Sequence, residues 1–278
     1  MSGSLLPFTL FESGVQPSLG IFARTRAGYV MVSDRDAKVF ADTAGRADVE
    51  TIPTAVNLDF FGWQPPCALA PGRAPTVVIT GSMNWAANID GVEWFLSAIR
   101  PLVRQQEPQA QFVVVGRNPP AALLRRASAR AGVRFTGFVD DVRTRVRGAH
   151  VFAIPLRVGG GTRIKAFEAM AMGCPVVSTA LAVEGLSVSG GEHFVQRDSP
   201  QAKAKAKAKA KAKAKAIVSL LRDLPTRERL SRQAHQRIER RFGHVAAAKV
   251  FELVCLRALQ RYRAGTAEGG TAGWALQQ

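Results

Sequence analysis

From residue 76 onward, short apolar runs alternate with longer segments in which apolar residues recur at helical spacing. The apolar runs occupy residues 77–80, 112–116, 133–137, 151–155 and 175–179, and the helical segments occupy residues 88–106, 119–131, 140–148 and 162–172. Strands that alternate with helices pair in parallel, because each helix carries the chain back to the edge where the next strand starts. The pattern therefore predicts a Rossmann-like, doubly wound parallel α/β sheet.

The segments on either side of this regular region have a weaker pattern. Residues 1–28 show no clear period, whereas residues 29–32 and 49–53 favour strands, with a helix capped by Ser33 between them. Residues 62–75 are rich in proline and lack an apolar period, which is typical of a linker. We predict a small first region (1–61), a linker (62–75), the sheet domain (76–241), a last amphipathic helix (242–264) and a flexible tail (265–278).

A run in which lysine alternates with alanine, residues 202–216, contributes seven lysines to the formal charge of +17. A step of two residues turns about 200° on a helix, so these lysines surround it instead of forming a stripe. The run therefore favours a solvated helix or a low-complexity insert over a nucleic-acid-binding tail. The remaining positive charge suits a protein that handles phosphorylated substrates or makes peripheral contact with an anionic membrane.

Targeting and redox signals are few. No apolar run reaches the length of about 18 residues that a membrane span requires, and residues 1–10 lack the basic region of a signal peptide. Cys67, Cys174 and Cys255 are scattered and have no metal-ligand spacing, which is typical of reduced thiols. We expect a cytoplasmic protein without a metal centre, and its charge is compatible with the inner face of the membrane.

A glycine triplet, Gly159, Gly160 and Gly161, joins the strand at 151–155 to the next helix. Glycines let a ligand approach the backbone closely, and the start of a helix presents unpaired N–H groups and a positive dipole end. Arg163 and Lys165 add cations there, against the dipole, which indicates an anionic ligand such as a phosphate. The alternative is a tight turn that serves packing alone.

Glu168 follows Lys165 by three residues and therefore lies near the same face of the helix. A carboxylate there can accept hydrogen bonds from the two hydroxyls of a ribose while the helix start holds phosphates. Alternatively, Glu168 is only an ion-pair partner of Lys165. Further glycines, at 81, 116 and 137, follow other predicted strands, and ligands of such sheets bind at the carboxyl ends of the strands.

Residues 159–179 resemble the donor-site signature of group 1, family 4 glycosyltransferases of the GT-B fold, in particular bacterial exopolysaccharide sugar transferases. Residues 81–91, 112–116, 136–141 and 182–186 resemble other motifs of the family, in the same order and spacing. The resemblance extends from about residue 76 to residue 241. It implies the C-terminal, donor-binding domain of such an enzyme, preceded by a remnant of the N-terminal acceptor domain in residues 1–61.

The resemblance also implies a function and a set of site residues. Family members transfer a hexosyl group from a nucleotide-diphosphate sugar to an acceptor with retention of configuration, and they require neither a metal nor a cofactor. The acceptor here is unknown, and a lipid-linked sugar or a polysaccharide fits the family. By this analogy Arg163 and Lys165 act on the diphosphate as catalytic cations, and the donor is bound by Gly81, Ser82, Gly137, Phe138, Val139, Gly160, Gly161, Thr162 and Glu168.

The chain departs from the family pattern in three places. Gly160 stands where many members have a glutamate beside the transferred sugar, and residues 83–86 lack an arginine and a lysine that are common there. Only residues 29–60 resemble the acceptor domain. An alternative is therefore a truncated, catalytically silent module that binds a nucleotide or a partner. A sugar-nucleotide epimerase shares the fold and is a further alternative.

Overall fold

The computed structural model describes residues 21–25, 28–159, 163–184, 186–196 and 206–268. The chain divides into two compact units. Residues 1–54 and 245–278 form the first unit, and Ala55–His244 forms the second. The boundary between the units therefore falls before the predicted linker, which belongs to the second unit.

The first unit contains a three-stranded sheet, β1 (Ile21–Thr25), β2 (Gly28–Met31) and β3 (Val49–Thr51). β1 pairs with β2 in antiparallel, and β2 pairs with β3 in parallel across helix α1 (Asp34–Ala44). Ser33 caps α1 as predicted, because its Oγ accepts a hydrogen bond from the Asp36 amide at 3.1 Å. β1 lies in the region without a clear period, because a strand of five residues carries too short a pattern to show one.

The second unit is built on six strands that all pair in parallel: β4 (Thr76–Thr80), β5 (Gln111–Val115), β6 (Val133–Gly137), β7 (Val151–Ile154), β8 (Val176–Ser178) and β9 (Val195–Gln196). Their order across the sheet is β6-β5-β4-β7-β8-β9. The chain thus starts in the middle, builds outward to one side and then returns to build the other side. This is the Rossmann order, and its switch point lies between β4 and β7.

Helices cover both faces of this sheet. They are α2 (Ala86–Trp94), α3 (Arg100–Gln106), α4 (Ala121–Ser128), α5 (Arg143–Arg147), α6 (Ile164–Ala171), α7 (Ala206–Arg222) and α8 (Leu224–Phe242). Two hydrophobic clusters fill the space between sheet and helices, with Phe95 and Phe112 central to one and Phe167 and Phe242 to the other. The predicted doubly wound α/β fold is confirmed.

The predicted single helix at 88–106 is divided. A π-helical turn, Phe95–Ile99, joins α2 to α3, and the Arg100 amide donates to the Phe95 carbonyl, five residues back. Pro101 follows and has no N–H to donate to the preceding turn, which explains why the regular α-helical bonding changes there. α9 (His244–Glu268) also differs from prediction, because it continues past residue 264 into the predicted tail.

The lysine-alanine run was wrongly predicted to be solvated on all sides. Its described part forms the beginning of α7, and Ala210, Ala214 and Ala216 are buried in the core. Lys213 is also buried, and its Nζ donates a hydrogen bond to the Ser178 carbonyl. A period of two distributes alanines as well as lysines around the helix, so alanines four residues apart provide a narrow apolar contact with the sheet.

The proline-rich segment packs against the second unit. Trp63 Nε1 donates to Ser231 Oγ at 2.9 Å, and a Cβ at Gly173 would lie 2.2 Å from the Gln64 carbonyl oxygen. The segment is thus held in close backbone contact with the end of α6. Cys67, Cys174 and Cys255 are free thiols, as expected. Among the described helices, none combines the length and apolar character needed to cross a membrane.

Candidate functional site

An open cavity of about 730 Å³ lies at the carboxyl edge of the six-stranded sheet. It lies at the switch point, where the loops after β4 and β7 separate and leave room for a ligand. Of the predicted site residues, the cavity wall contains Gly81, Ser82, Phe138, Val139, Arg163, Lys165 and Glu168. Gly137 directly precedes this wall, whereas Gly160, Gly161 and Thr162 lie outside the described residues.

Three turns at this edge are bonded in series. The Gly81 amide donates to the Val115 carbonyl at 2.9 Å, and the Gly116 amide donates to the Gly137 carbonyl at 3.0 Å. A Cβ on Gly116 would lie 1.9 Å from the Gly81 carbonyl oxygen, so only glycine permits this approach of two backbones. Gly137 has φ +70°, a left-handed conformation that also favours glycine. The glycines therefore shape one wall of the cavity.

Lys165 crosses the switch point from α6 to the end of β4. Its Nζ donates to the Thr80 carbonyl and to Asn88 Oδ1, both at 2.9 Å. Asn88 Nδ2 in turn donates to the Ser82 carbonyl at 2.8 Å. Burial and the neighbouring charge of Arg163 lower the pKa of Lys165 to about 8, against a smaller opposite effect of Glu168. The Lys165 ammonium is thus held in position, and a bound anion would further stabilise its charged form.

Arg163 immediately precedes α6 and is partly buried. Its Nε and Nη2 are buried and have no hydrogen-bond partner within the described part of the chain. Burial lowers the pKa of this guanidinium. A Cβ at Gly159, whose φ is +105°, would lie 2.9 Å from Arg163 Nη2. Buried donors of this kind require an acceptor, which an anionic ligand can provide.

Glu168 lies one turn into α6 and is half-buried in the cavity wall. Burial raises the pKa of its carboxyl, and the Lys165 charge opposes this effect. Lys165 is held by Thr80 and Asn88, and no ion pair within 4.0 Å joins it to Glu168 among the described residues. The alternative prediction of a simple Lys165–Glu168 ion pair was therefore wrong. The carboxylate remains available to accept hydrogen bonds from a ligand.

The mouth of the cavity carries two exposed aromatic rings. Trp85 is 71% exposed and Phe138 is 69% exposed. Phe138 was among the predicted residues, whereas Trp85, Asn88 and Arg117 were not, although all three line the cavity. A tryptophan four residues after the glycine that ends a predicted strand is the sequence signal that could have indicated Trp85. Flat apolar rings at a mouth of this kind suit a flat ligand group such as a base.

Within the described residues, no group of three or more His, Cys, Asp or Glu side chains is arranged to hold a metal ion. The charged side chains of the cavity are instead two partly buried cations, Arg163 and Lys165, and one carboxylate, Glu168, with Arg117 in addition. The cavity therefore favours a ligand that combines anionic groups with hydroxyls.

Comparison with known proteins agrees with this geometry. The family Glycosyl transferases group 1 matches residues 74–223, more than half of the chain. The chain therefore belongs to this family. It is 29% identical over 231 residues to phosphatidyl-myo-inositol mannosyltransferase of Mycobacterium leprae, covering 81% of this chain and 58% of that protein. The chain thus spans little more than half the length of this curated relative.

Solved structures show the same fold. The crystal structure of Anabaena HepE in complex with UDP and glucose matches with a TM-score of 0.60 and 15% identity, over 81% of this chain and 61% of that one. The C-terminal domain of the group 1 glycosyl transferase LpcC from Francisella tularensis matches with a TM-score of 0.52 and 16% identity, over 68% of this chain and all of that one. The predicted GT-B type fold, with mainly the C-terminal domain present, is confirmed.

Proposed function

We propose that this chain binds a nucleotide-diphosphate sugar and, in the presence of an acceptor, transfers the glycosyl group as a hexosyltransferase. One arrangement carries the proposal. Arg163 and Lys165, with partly buried cationic groups, lie at the start of α6 and at the switch point, and Glu168 lies one turn further on. Family membership and the UDP and glucose bound by HepE support the same ligand class.

In this proposal each charged side chain has a distinct role. Arg163, with two unpartnered buried donors, and Lys165, fixed by Thr80 and Asn88, bind the diphosphate. Glu168 accepts hydrogen bonds from the ribose hydroxyls. The turn from Gly137 to Val139 contacts the base, Gly81 and Ser82 face the phosphates from the turn after β4, and Gly160, Gly161 and Thr162 contribute to the donor site.

The same two cations stabilise the leaving group during the chemical step. When the bond between the sugar and the diphosphate breaks, negative charge develops on the departing phosphate oxygen. Arg163 and Lys165 stabilise that charge without a metal ion, because fixed cations in a partly dehydrated site need no reorganisation during the reaction. We propose that the glycosyl group is transferred with retention of configuration. Transfer that is unchanged by a chelator, with the anomeric configuration of the product read by NMR, tests both points.

Binding is the first test of the proposal. Calorimetric titration of the purified chain with UDP, GDP, ADP and their sugar derivatives should identify one preferred base. Glu168→Ala should weaken that binding by about tenfold, because charge-assisted hydrogen bonds to the ribose are lost. Glu239→Ala removes an exposed carboxylate on α8 outside the cavity and should leave binding unchanged. Failure of every nucleotide to bind, or equal binding by wild type and Glu168→Ala, contradicts the proposal.

A second candidate function is a nucleotide-binding or partner-binding module that does not catalyse transfer. The observation in its favour is that the chain spans only 58% of the Mycobacterium leprae relative. Sugar transfer by the purified chain alone to a lipid-linked or polysaccharide acceptor would exclude this function. The same product analysis without acceptor separates transfer from epimerisation. We propose that the sugar transfer belongs to exopolysaccharide or glycoconjugate synthesis and takes place in the cytoplasm, at the inner face of the membrane.

A further inference from the structure

A second cavity, of about 340 Å³, lies at the opposite edge of the same sheet. Thr76 and Gln111 contribute from the starts of β4 and β5, and Arg134 contributes from β6. The rest of the wall is formed by Arg73, just before β4, by Thr144 and Arg145, on α5, and by Val113 and Gly148. A five-residue strand rises about 13 Å between its first and last residue, so this cavity is separate from the candidate donor site.

The second cavity is strongly cationic. Arg73, Arg134 and Arg145 lie on three different segments and converge on it, and no Asp or Glu is among the described residues of its wall. Arg73 Nη2 donates to the Gly148 carbonyl at 3.0 Å, which fixes this guanidinium at the cavity. Within the described chain, the side chains of Arg134 and Arg145 form no hydrogen bond or ion pair.

A neighbouring arginine on α5 is neutralised. Arg143 is on α5 beside Arg145, and its Nη2 lies 2.8 Å from Asp141 Oδ2. Unlike Arg143, the three cavity arginines have no carboxylate partner among the described residues. Like charges at close range repel one another, so an anion bound between them is stabilised.

A buried histidine lies next to the second cavity and has a lowered pKa. His150 Nδ1 accepts a hydrogen bond from the Thr76 amide at 2.9 Å, next to the cavity. Burial and the positive charges of Arg227 and Arg73 lower the pKa of His150 to about 4. This side chain is therefore neutral at physiological pH and adds no charge next to the cavity.

We propose that this cavity is a second ligand site, which binds a phosphate group at the amino-terminal edge of the sheet. The planar fork of arginine matches phosphate oxygens in pairs, and three forks from different segments can bind a phosphomonoester or a diphosphate. The volume is at the lower end of small-molecule sites, which suits one or two phosphates with a small substituent. A soluble phosphate ester and the headgroup of an anionic lipid both present this chemistry.

The test uses the full-length chain, labelled with nitrogen-15, and inorganic pyrophosphate as the probe at constant ionic strength. Amide signals of Thr76, Gln111 and Arg134 report the second cavity, whereas those of Gly81 and Lys165 report the donor site. We expect saturable shifts of the first group. Arg134→Ala/Arg145→Ala should weaken pyrophosphate binding at this group by at least tenfold, because two charge-assisted contacts are lost.

A matched variant controls for net charge. Arg125→Ala/Arg232→Ala also removes two exposed arginines, neither of which lines either cavity. It should bind pyrophosphate like the wild type. The proposal is overturned if the first group of amides does not shift at millimolar pyrophosphate, or if both double variants lose affinity equally. Because the two groups of amides are read separately, failure here is distinguishable from failure of nucleotide binding at the donor site.

A second arm identifies the source of the phosphate. Flotation with phosphatidylcholine vesicles that contain phosphatidylinositol, compared with pure phosphatidylcholine vesicles, measures binding to an anionic lipid headgroup. Recruitment that Arg134→Ala/Arg145→Ala loses and the charge-matched control retains assigns the cavity to a lipid headgroup. Pyrophosphate binding without such recruitment assigns it to a soluble phosphate ester. Recruitment that both double variants retain, without pyrophosphate binding, overturns the proposal.

Discussion

At the scale of single residues, Lys165 is the side chain whose environment most clearly prepares it for a ligand. Its ammonium is largely withdrawn from water, yet two fixed oxygens, of Thr80 and Asn88, hold it at the switch point. The Thr80 carbonyl and the Asn88 amide are dipoles without net charge. The positive charge of Lys165 is therefore oriented but not neutralised, and an incoming phosphate completes the site.

Nucleotide binding should therefore depend on pH through Lys165. Because its pKa is lowered to about 8, the free protein loses this positive charge as the pH rises through that value. We expect the Kd for the preferred nucleoside diphosphate to increase by about tenfold between pH 7 and pH 9. Lys165→Arg keeps its charge at both pH values and should give a flat profile. Titration of the nucleotide itself affects both proteins equally, so parallel profiles would contradict the role of Lys165.

Asn88 should act through Lys165. In Asn88→Ala the ammonium loses one of its two acceptors, so we expect nucleotide binding to weaken by about tenfold and to decline at a lower pH than in the wild type. Asn84→Ala is the control, since Asn84 Oδ1 accepts from Asn118 Nδ2 at 2.9 Å and lies outside the cavity wall. An unchanged pH profile in Asn88→Ala would indicate that Asn88 is only structural.

The residues of the candidate site differ in how far the sequence could predict them. Arg163 immediately precedes α6, and the spacing of Lys165 and Glu168 already indicated that these two residues lie near the same face of the helix. Asn88 contacts Lys165 from a position 77 residues away, and no local pattern reports that distance. Only the order of the strands, which places β4 beside β7, brings the two together.

At the scale of elements, the turns after β4 and β5 are constrained by each other. In Gly116→Ala, the new methyl group would lie 1.9 Å from the Gly81 carbonyl oxygen, so the backbone of both turns must move. We expect the free energy of unfolding in urea to fall by about 3 kcal/mol. Gly62→Ala, whose Cβ would lie 3.6 Å from the Leu58 carbonyl oxygen, should change it by less than about 0.5 kcal/mol. Equal stability of the two variants would contradict the close approach of the turns.

The orientation of α7 predicts how substitutions on its two faces change the stability of the protein. Ala214 is buried in the core, whereas Lys215 is exposed, although the two residues are adjacent in a repetitive sequence. Ala214→Lys should destabilise the protein by at least about 3 kcal/mol, because it buries a charge at a packed contact. Lys215→Ala should change stability by less than about 0.5 kcal/mol. Thermal and urea unfolding of both variants tests whether the run is packed as the structure shows.

Strands and helices were predicted with unequal success, for physical reasons. The strands of the second unit are short, buried and bounded by turns, so their apolar runs marked them within one or two residues. The ends of helices, the π-helical turn at Phe95–Ile99 and the packing of α7 depend on long-range contacts. An alternation of lysine and alanine has no net amphipathic face, so its sequence alone cannot show which alanines pack against the sheet.

At the scale of the whole molecule, the candidate site and the family match lie within one unit. The cavity residues and residues 74–223 all fall between Ala55 and His244. The two ends of this unit also pair with each other, because the Val56 amide donates to the Phe242 carbonyl at 2.8 Å and the His244 amide donates to the Val56 carbonyl at 3.1 Å. Backbone hydrogen bonds thus join the two ends of the unit, and both hydrophobic clusters lie within it.

A fragment of residues 55–244 should therefore fold on its own and bind nucleotide as the full chain does. The domain has its own core and paired ends, and a single sheet domain of this size is within the usual range for independent folding. We expect one cooperative urea transition and a Kd for the preferred nucleoside diphosphate within about twofold of that of the full chain. A fragment of residues 74–223, which matches the family but lacks the strand-like pairing of Val56 and all of α8, should be markedly less stable. If residues 55–244 fail to fold, or fold without binding, the prediction that this unit alone contains a complete donor site is wrong.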